Sequence, residues 1–331
     1  MLFFIVSNNF KQKNMNEQLS FSDVTIDMKD PRCKSRLSYE NTYEAHKPTE
    51  DQMAHIERMS QIIRKRFEQV KQRSFRIRYL GQLYRCTLIK SVYGELAICR
   101  KQPMDMIPLD EIGLPKHIIQ AAMDERLCKG GLILVVGAIG SGKTTTCASI
   151  AVARTSEFGG MMLTIEDPAE LPMQGDIGAG QCIQYEVESK DEFAEAGRLA
   201  LRCFPSDKPG ILFLGEIRDS EAATLALRAS LIGKLVIATM HGDRIESALK
   251  RIISYASDNM SQTEVLSLLH NGFRMCLHQS RSKNKIDVKF LVDTTSAANT
   301  ILRGSIEQLN SEIYTQLRMV ENSEVPKPRQ I

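Results

Sequence analysis

Gly137-Ala138-Ile139-Gly140-Ser141-Gly142-Lys143-Thr144 follows an apolar run at residues 132–136 and precedes Thr145-Thr146-Cys147-Ala148-Ser149-Ile150. The order is strand, glycine-rich turn, helix start. A GxxxxGK[ST] spacing lets successive backbone N–H groups curl round a phosphate at a helix N-terminus, where the dipole favours negative charge. The cradle runs to Thr145; within it Lys143 reaches the β- and γ-phosphates of ATP and the Thr144 hydroxyl ligates Mg²⁺. The strand before and the helix after argue against a chance match in an ordinary glycine turn.

The surrounding chain has 331 residues, 43% hydrophobic and 25% charged, which is enough for two domains with buried cores. A formal net charge of +3 without a long basic run gives no argument for direct nucleic-acid binding. Eight cysteines include no CxxC pair, so they read as reduced thiols rather than a zinc site or a disulfide framework. Met1-Leu-Phe-Phe-Ile-Val6 is too short for a membrane span and lacks the flanks of a signal peptide, and Met15 is a plausible true start. No apolar run reaches transmembrane length, so a membrane role is expected only through a partner.

In order, residues 1–50 read as a flexible arm with one short strand at 24–28. From 51 to 70, Met53, Ile56, Met59, Ile62, Ile63, Phe67 and Val70 recur at helical spacing. Strands at 75–79, 83–89 and 95–99 then predict a small antiparallel sheet on that helix, an α+β N-terminal domain over 51–102. Arg76, Arg78, Arg85 and Arg100 lie on or at the ends of these strands. Residues 103–116, with three prolines, read as a linker. After a helix at 116–128, strands at 132–136, 161–165, 211–214 and 235–239 alternate with helices at 143–155, 190–203 and 220–231, the pattern of a parallel α/β sheet. Residues 262–320 read as helical with a strand at 288–292, and the tail from 323 as frayed. An α/β core domain over 117–322 follows.

In an open α/β sheet ligands sit at the carboxyl ends of the strands. There lie the P-loop, Glu166-Asp167-Pro168, Gly215-Glu216-Ile217-Arg218-Asp219 and Met240-His241-Gly242. ATP hydrolysis needs a bound Mg²⁺, a positioned water with a proton acceptor, and positive charge against the γ-phosphate. The slot usually filled by a metal-binding aspartate is Gly215, so Glu216 serves the metal through water, the attacking water, or both, and Glu166 shares the work. His241 reads alone as a strand-capping histidine; at this strand end it can instead sense the γ-phosphate. Positive charge beyond Lys143 is expected from the N-terminal arginines, supplied by domain closure or by a neighbouring subunit.

Residues 137–146, Thr164-Ile-Glu-Asp-Pro-Ala-Glu170, Leu212-Phe-Leu-Gly-Glu-Ile-Arg-Asp219 and Gly233-Lys-Leu-Val-Ile-Ala-Thr-Met-His241 resemble, in order and spacing, the Walker A, Asp box, Walker B and His box of the GspE/PilT superfamily of secretion and type IV pilus ATPases. The resemblance spans residues 75–304. It implies a RecA-like P-loop core with a smaller PAS-like N-terminal domain, ATP and Mg²⁺ as ligands, and a homo-hexamer on the cytoplasmic face of the inner membrane, held by platform or secretion-channel proteins. Carried over by position, Lys143 and Thr144 bind phosphates and metal, Glu166 and Glu216 are the acidic pair, also facing the metal, and His241 is the His-box histidine. Arg85 in Tyr84-Arg85-Cys86-Thr87 and Arg100 in Cys99-Arg100-Lys101 are the arginines that approach the γ-phosphate.

The absence of a paired-CxxC element and the short chain place the resemblance nearest the PilT, DotB and TraJ branch. Gly242 replaces the family's threonine after the His-box histidine, and the retraction motif is only loosely echoed at Ala297-Ala-Asn-Thr-Ile-Leu-Arg303. These departures favour a secretion or conjugative-transfer motor of the type IVB kind over a pilus-retraction ATPase. Readings of another class are an ATP-gated assembly module with little turnover and a small-molecule kinase.

Overall fold

The computed structural model describes residues 21–39, 42, 44–187, 190–205, 208–282, 285–322, 324 and 326–329. The reading of Met1–Val6 and of Met15 falls outside them. The chain divides into two compact units, one ending at Met104 and the other beginning at Asp105.

The N-terminal unit is a five-stranded sheet backed by a long helix. In chain order it comprises β1 (Asp23–Asp27), α1 (Pro31–Lys34), β2 (Arg36–Ser38), α2 (Glu50–Val70), β3 (Ser74–Tyr79), β4 (Gln82–Ser91) and β5 (Gly94–Lys101). The sheet order is β2-β1-β5-β4-β3, and every pairing is antiparallel. Alternation along β3, β4 and β5 sends Phe75, Ile77, Tyr84, Cys86, Leu88, Ala97 and Cys99 onto Met53, Ile56, Met59 and Ile63 of α2. Residues 21–39, expected as part of a flexible arm, instead supply two strands and a helical turn. The short strand expected at 24–28 is β1; α1 and β2 were missed because they are only four and three residues long.

The second unit contains α3 (Lys116–Ala122), β6 (Gly131–Gly137), α4 (Lys143–Phe158), β7 (Gly160–Glu166), β8 (Gly175–Ile177), β9 (Gly180–Glu186), α5 (Lys190–Cys203), β10 (Gly210–Leu214), α6 (Ser220–Ala229), β11 (Leu235–His241), α7 (Ile245–Ala256), α8 (Gln262–Gly272), β12 (Phe273–Ser282), β13 (Lys285–Val292), α9 (Thr295–Leu302) and α10 (Leu309–Glu321). One eight-stranded sheet has the order β13-β12-β6-β11-β10-β7-β9-β8. Its six inner strands run parallel and the two edge strands are antiparallel.

Every residue of β6 is buried. Leu132, Leu134 and Val136 join the core shared with α6 and α7, while Ile133 and Val135 join the core shared with α4. Both faces are therefore covered, which is why this strand reads as an unbroken apolar run rather than an alternation. Among the described residues no helix is long and apolar enough to cross a membrane.

Four further readings change. The helix expected over 116–128 is α3 followed by a 3-10 turn at Glu125–Lys129. Within the expected linker, Leu109, Ile112 and Leu114 are buried in the core under α4, and the Ser149 hydroxyl donates to the Ile107 carbonyl at 2.6 Å, so much of that stretch belongs to the second unit. The region read as helical with one strand holds the ten-residue β12. In the tail, the Arg329 guanidinium donates to the His270 carbonyl at 2.7 Å and bridges Asp293 at 3.2 Å, so this residue is tied down rather than frayed.

α2 opens with a reciprocal cap: Gln52 N–H donates to Thr49 Oγ1 at 3.4 Å and Thr49 N–H donates to Gln52 Oε1 at 3.0 Å. Thr49→Ala is expected to cost about 1 kcal/mol of N-terminal-unit stability, and Thr49→Ser to restore most of it, measured by urea unfolding followed by circular dichroism.

Candidate functional site

The parallel strands β6, β7, β10 and β11 end at one edge of the sheet, and each delivers a polar group there. β6 leads directly into the P-loop. Gly137 has φ +156°, and a Cβ at this position would lie 2.2 Å from the Gln279 carbonyl oxygen. Gly142 starts α4 in the left-handed region at φ +88°. Only glycine meets both demands, a close backbone approach and a positive φ, so the loop spacing is a steric requirement. Ala138, Ile139 and Gly140 at the loop crest are exposed, whereas Ser141 is buried.

The loop is held from β12. Gln279 is fully buried; its Nε2 donates to the Ser141 carbonyl at 2.6 Å, and its Oε1 accepts from the Thr146 hydroxyl at 2.7 Å. One side chain thus bonds both the loop and the first turn of α4. Lys143 Nζ donates to the Ala138 carbonyl at 2.8 Å across the loop. Burial lowers the Lys143 pKa, and the nearby Glu216 charge works in the opposite direction. Thr144 and Thr145 are half-buried at the helix start.

Glu166 ends β7 and is 2% exposed. Burial raises its pKa above the usual carboxylate range, against the opposing hydrogen bonds it accepts. Gln184 of β9 is the principal partner. Its Nε2 donates to Glu166 Oε1 and to the Leu171 carbonyl, each at 3.0 Å, while its Oε1 accepts from the Met173 and Gln174 N–H groups, each at 2.9 Å. The amide has both donors and both lone pairs engaged, so its orientation is set.

β10 lies beside β7, with Leu214 opposite Ile165 and Gly215 N–H donating to the Ile165 carbonyl at 3.0 Å. A Cβ at Gly215 would stand 3.4 Å from Glu166 Cγ. That is ordinary van der Waals contact, so the slot borders the Glu166 side chain directly. Glu216, next in the chain, is exposed. Arg218 forms an ion pair with Asp167, and the Asp219 carboxylate caps α6 through Ala222 N–H at 3.0 Å. On the other side, His241 ends β11 directly opposite Gly137 in the register, and its carbonyl accepts from Arg251 at 2.6 Å.

Lys143, Glu166, Glu216 and His241 are thus brought to one sheet edge. Arg85 and Arg100 belong to the N-terminal unit, where they are brought to each other. Arg76, Arg85 and Arg100 stand opposite one another in a row across β3, β4 and β5, and Asp23 of β1 ends the row, accepting from Arg100 Nε at 2.7 Å. Like charges directly opposed in a sheet are destabilising. The row lies on the face away from α2.

Two functional residues escaped the sequence reading, Gln279 and Gln184. Both sit on strands that were not anticipated. The signal for Gln279 was the alternation Met275, Leu277, Gln279, which puts a polar residue in an inward slot.

The fit to a nucleotide and Mg²⁺ is chemical as well as steric. The loop offers N–H donors and Lys143 to phosphates; Thr144, Glu166 and Glu216 offer hard oxygen donors. Among the described residues no three His, Cys, Asp or Glu side chains are placed to hold a metal by themselves.

Two results are expected. Gln279→Ala should weaken nucleotide binding at least about tenfold, read by titration with a fluorescent ATP analogue, because two buried hydrogen bonds holding the loop are lost. Glu166 carries a folded-state pKa above its unfolded value, so the stabilisation is full at low pH and is lost as pH rises through the folded pKa. At pH 7.5 Glu166→Gln should therefore melt higher than the parent chain, with the gap closing as pH falls toward the ordinary value of 4.5, measured by calorimetry.

A family described as "Type II/IV secretion system protein" matches residues 21–324. The uncharacterized protein YggR of Escherichia coli (strain K12) is 31% identical over 236 residues, 67% of this chain and 67% of that protein. The type II secretion system protein HxcR of Pseudomonas aeruginosa is 31% identical over 200 residues, 59% of this chain and 40% of that one. The chain thus spans two thirds of the first relative's length and well under half of the second's. Among solved structures, the pilus retraction motor PilT with bound ADP superposes with a TM-score of 0.73 at 24% identity, covering 96% of this chain and 94% of that one. The ATPase DotB of Legionella pneumophila gives 0.68 at 21% identity, covering 94% and 87%. At these identities the two structures establish the fold, a RecA-like P-loop core with a smaller α+β unit.

Proposed function

Because this chain belongs to the type II/IV secretion system protein family, we propose that it hydrolyses ATP as a homo-hexameric motor of a bacterial secretion or conjugative-transfer machine of the type IVB kind. The observation that carries this reading is the convergence of Lys143, Glu166, Glu216 and His241 on the carboxyl edge of the parallel sheet. The motor works at the cytoplasmic face of the inner membrane, attached through platform or channel proteins.

The P-loop N–H groups bind the β-phosphate of ATP, and the Lys143 ammonium exchanges the Ala138 carbonyl for phosphate oxygens, where it stabilises charge that grows in the transition state. Thr144 Oγ1, and Glu166 and Glu216 through water, would hold Mg²⁺, which when bound would supply positive charge against the phosphates. Glu216, the exposed carboxylate whose charge reaches Lys143, orients the attacking water. Glu166, whose proton affinity burial has raised, accepts the proton that water gives up. His241, opposite Gly137, senses the γ-phosphate and passes its loss to the segment beginning at Gly242. Arg85 and Arg100 supply the remaining positive charge to a nucleotide held by a neighbouring subunit. Arg85 Nε is buried and has no partner among the described residues, which is consistent with an anionic target for it.

The rival reading, an ATP-gated scaffold without turnover, has no use for a buried carboxylate that costs stability at neutral pH. Glu216→Gln should keep ATP affinity within about twofold while turnover falls at least about a hundredfold, by phosphate release against nucleotide titration; unchanged turnover refutes the assignment. Mixing Arg85→Ala subunits with Lys143→Ala subunits should restore part of the activity that each lacks alone. No recovery would place the arginine's action within its own chain.

A further inference from the structure

On the sheet face away from the P-loop, the segment after His241 and the start of α7 meet β12, β13 and α10 around an open cleft. Its walls include Glu246, His278, Ile313, Tyr314 and Leu317. Glu246 stands in the first turn of α7 and is 8% exposed, and its Oε1 has no hydrogen-bond partner among the described residues. A buried carboxylate oxygen left without a partner is costly, and it can only accept, so the complement this wall lacks is a donor. His278 does not supply a charged one: burial first, and then Lys289, holds its pKa below the ordinary value, leaving the ring neutral at neutral pH. Arg244 and Lys289 line the rim with exposed side chains whose charged heads remain in water. Ile313 is buried, Leu317 is half-buried and the Tyr314 ring is 67% exposed, which makes a slot for an apolar stem below a π-face.

We propose that this cleft binds an alkyl guanidinium or ammonium group, with the charged head on Glu246 and the stem against Ile313, Leu317 and Tyr314. Two sources share that chemistry, a free alkyl amine and a basic side chain of a second copy of this chain. The cleft also adjoins the phosphate site: His278 faces it, while the next residue on β12, Gln279, holds the P-loop. The proposal stands independently of ATP turnover.

The test uses agmatine with the full chain and no nucleotide. The melting temperature of the parent chain should rise saturably by about 2 °C or more, n-butanol should give no rise, and Glu246→Gln should abolish the agmatine effect. No rise in the parent chain, or an equal rise in Glu246→Gln, overturns the proposal. Should Glu246→Gln not fold, Tyr314→Ala, altered at an exposed ring, should weaken the agmatine response at least threefold, and an unaltered response would overturn it. Sedimentation velocity separates the sources. Assemblies that dissociate on agmatine addition identify the second copy's side chain, and agmatine binding without a change in sedimentation identifies a free amine.

Discussion

The hydrogen bonds from the buried amide of Gln279 to the Ser141 carbonyl and from the Thr146 hydroxyl are the constraint on which the site depends. A phosphate cradle works only if the loop's N–H groups converge, and a loop with left-handed glycines has many other conformations open to it. Fixing it from β12 places the restraint on a strand hydrogen-bonded on both sides, to β6 and β13. Gly137 must be glycine because that strand's backbone passes so close. The cradle is therefore a joint product of β6, β12 and α4, not of the loop alone.

The acidic half of the site follows a similar logic. A carboxylate taken out of water is destabilising unless it is oriented and paired. Glu166 is both deeply buried and bonded by an amide that is itself fully engaged. Glu216 is left in solvent one strand away. Two carboxylates so differently solvated suit different tasks, the buried one a proton acceptor and the exposed one a water- and metal-facing group.

Much of this was legible in the sequence because buried parallel strands are short apolar runs and their carboxyl ends carry the polar residues. The four strand ends bearing the P-loop, Glu166, Glu216 and His241 could each be placed that way. β12 escaped because the adjacent residues Met275, Cys276 and Leu277 are all buried, on both faces of the sheet, which blurs its alternation. β9 escaped because it lies next to the edge of the sheet and exposes Gln181, Ile183 and Tyr185. Gln279 and Gln184, the two amides that orient the chemistry, sit on those strands. β1 joins its sheet across a long sequence separation, a pairing that local pattern does not encode.

The central claim, that the strand-end groups hydrolyse ATP rather than merely hold it, is tested most directly by phosphate release from ATP and Mg²⁺ by the parent chain with no acceptor present. The account predicts steady release continuing through many turnovers per chain. Release that stops at one phosphate per chain, or none while ATP binds, would contradict it.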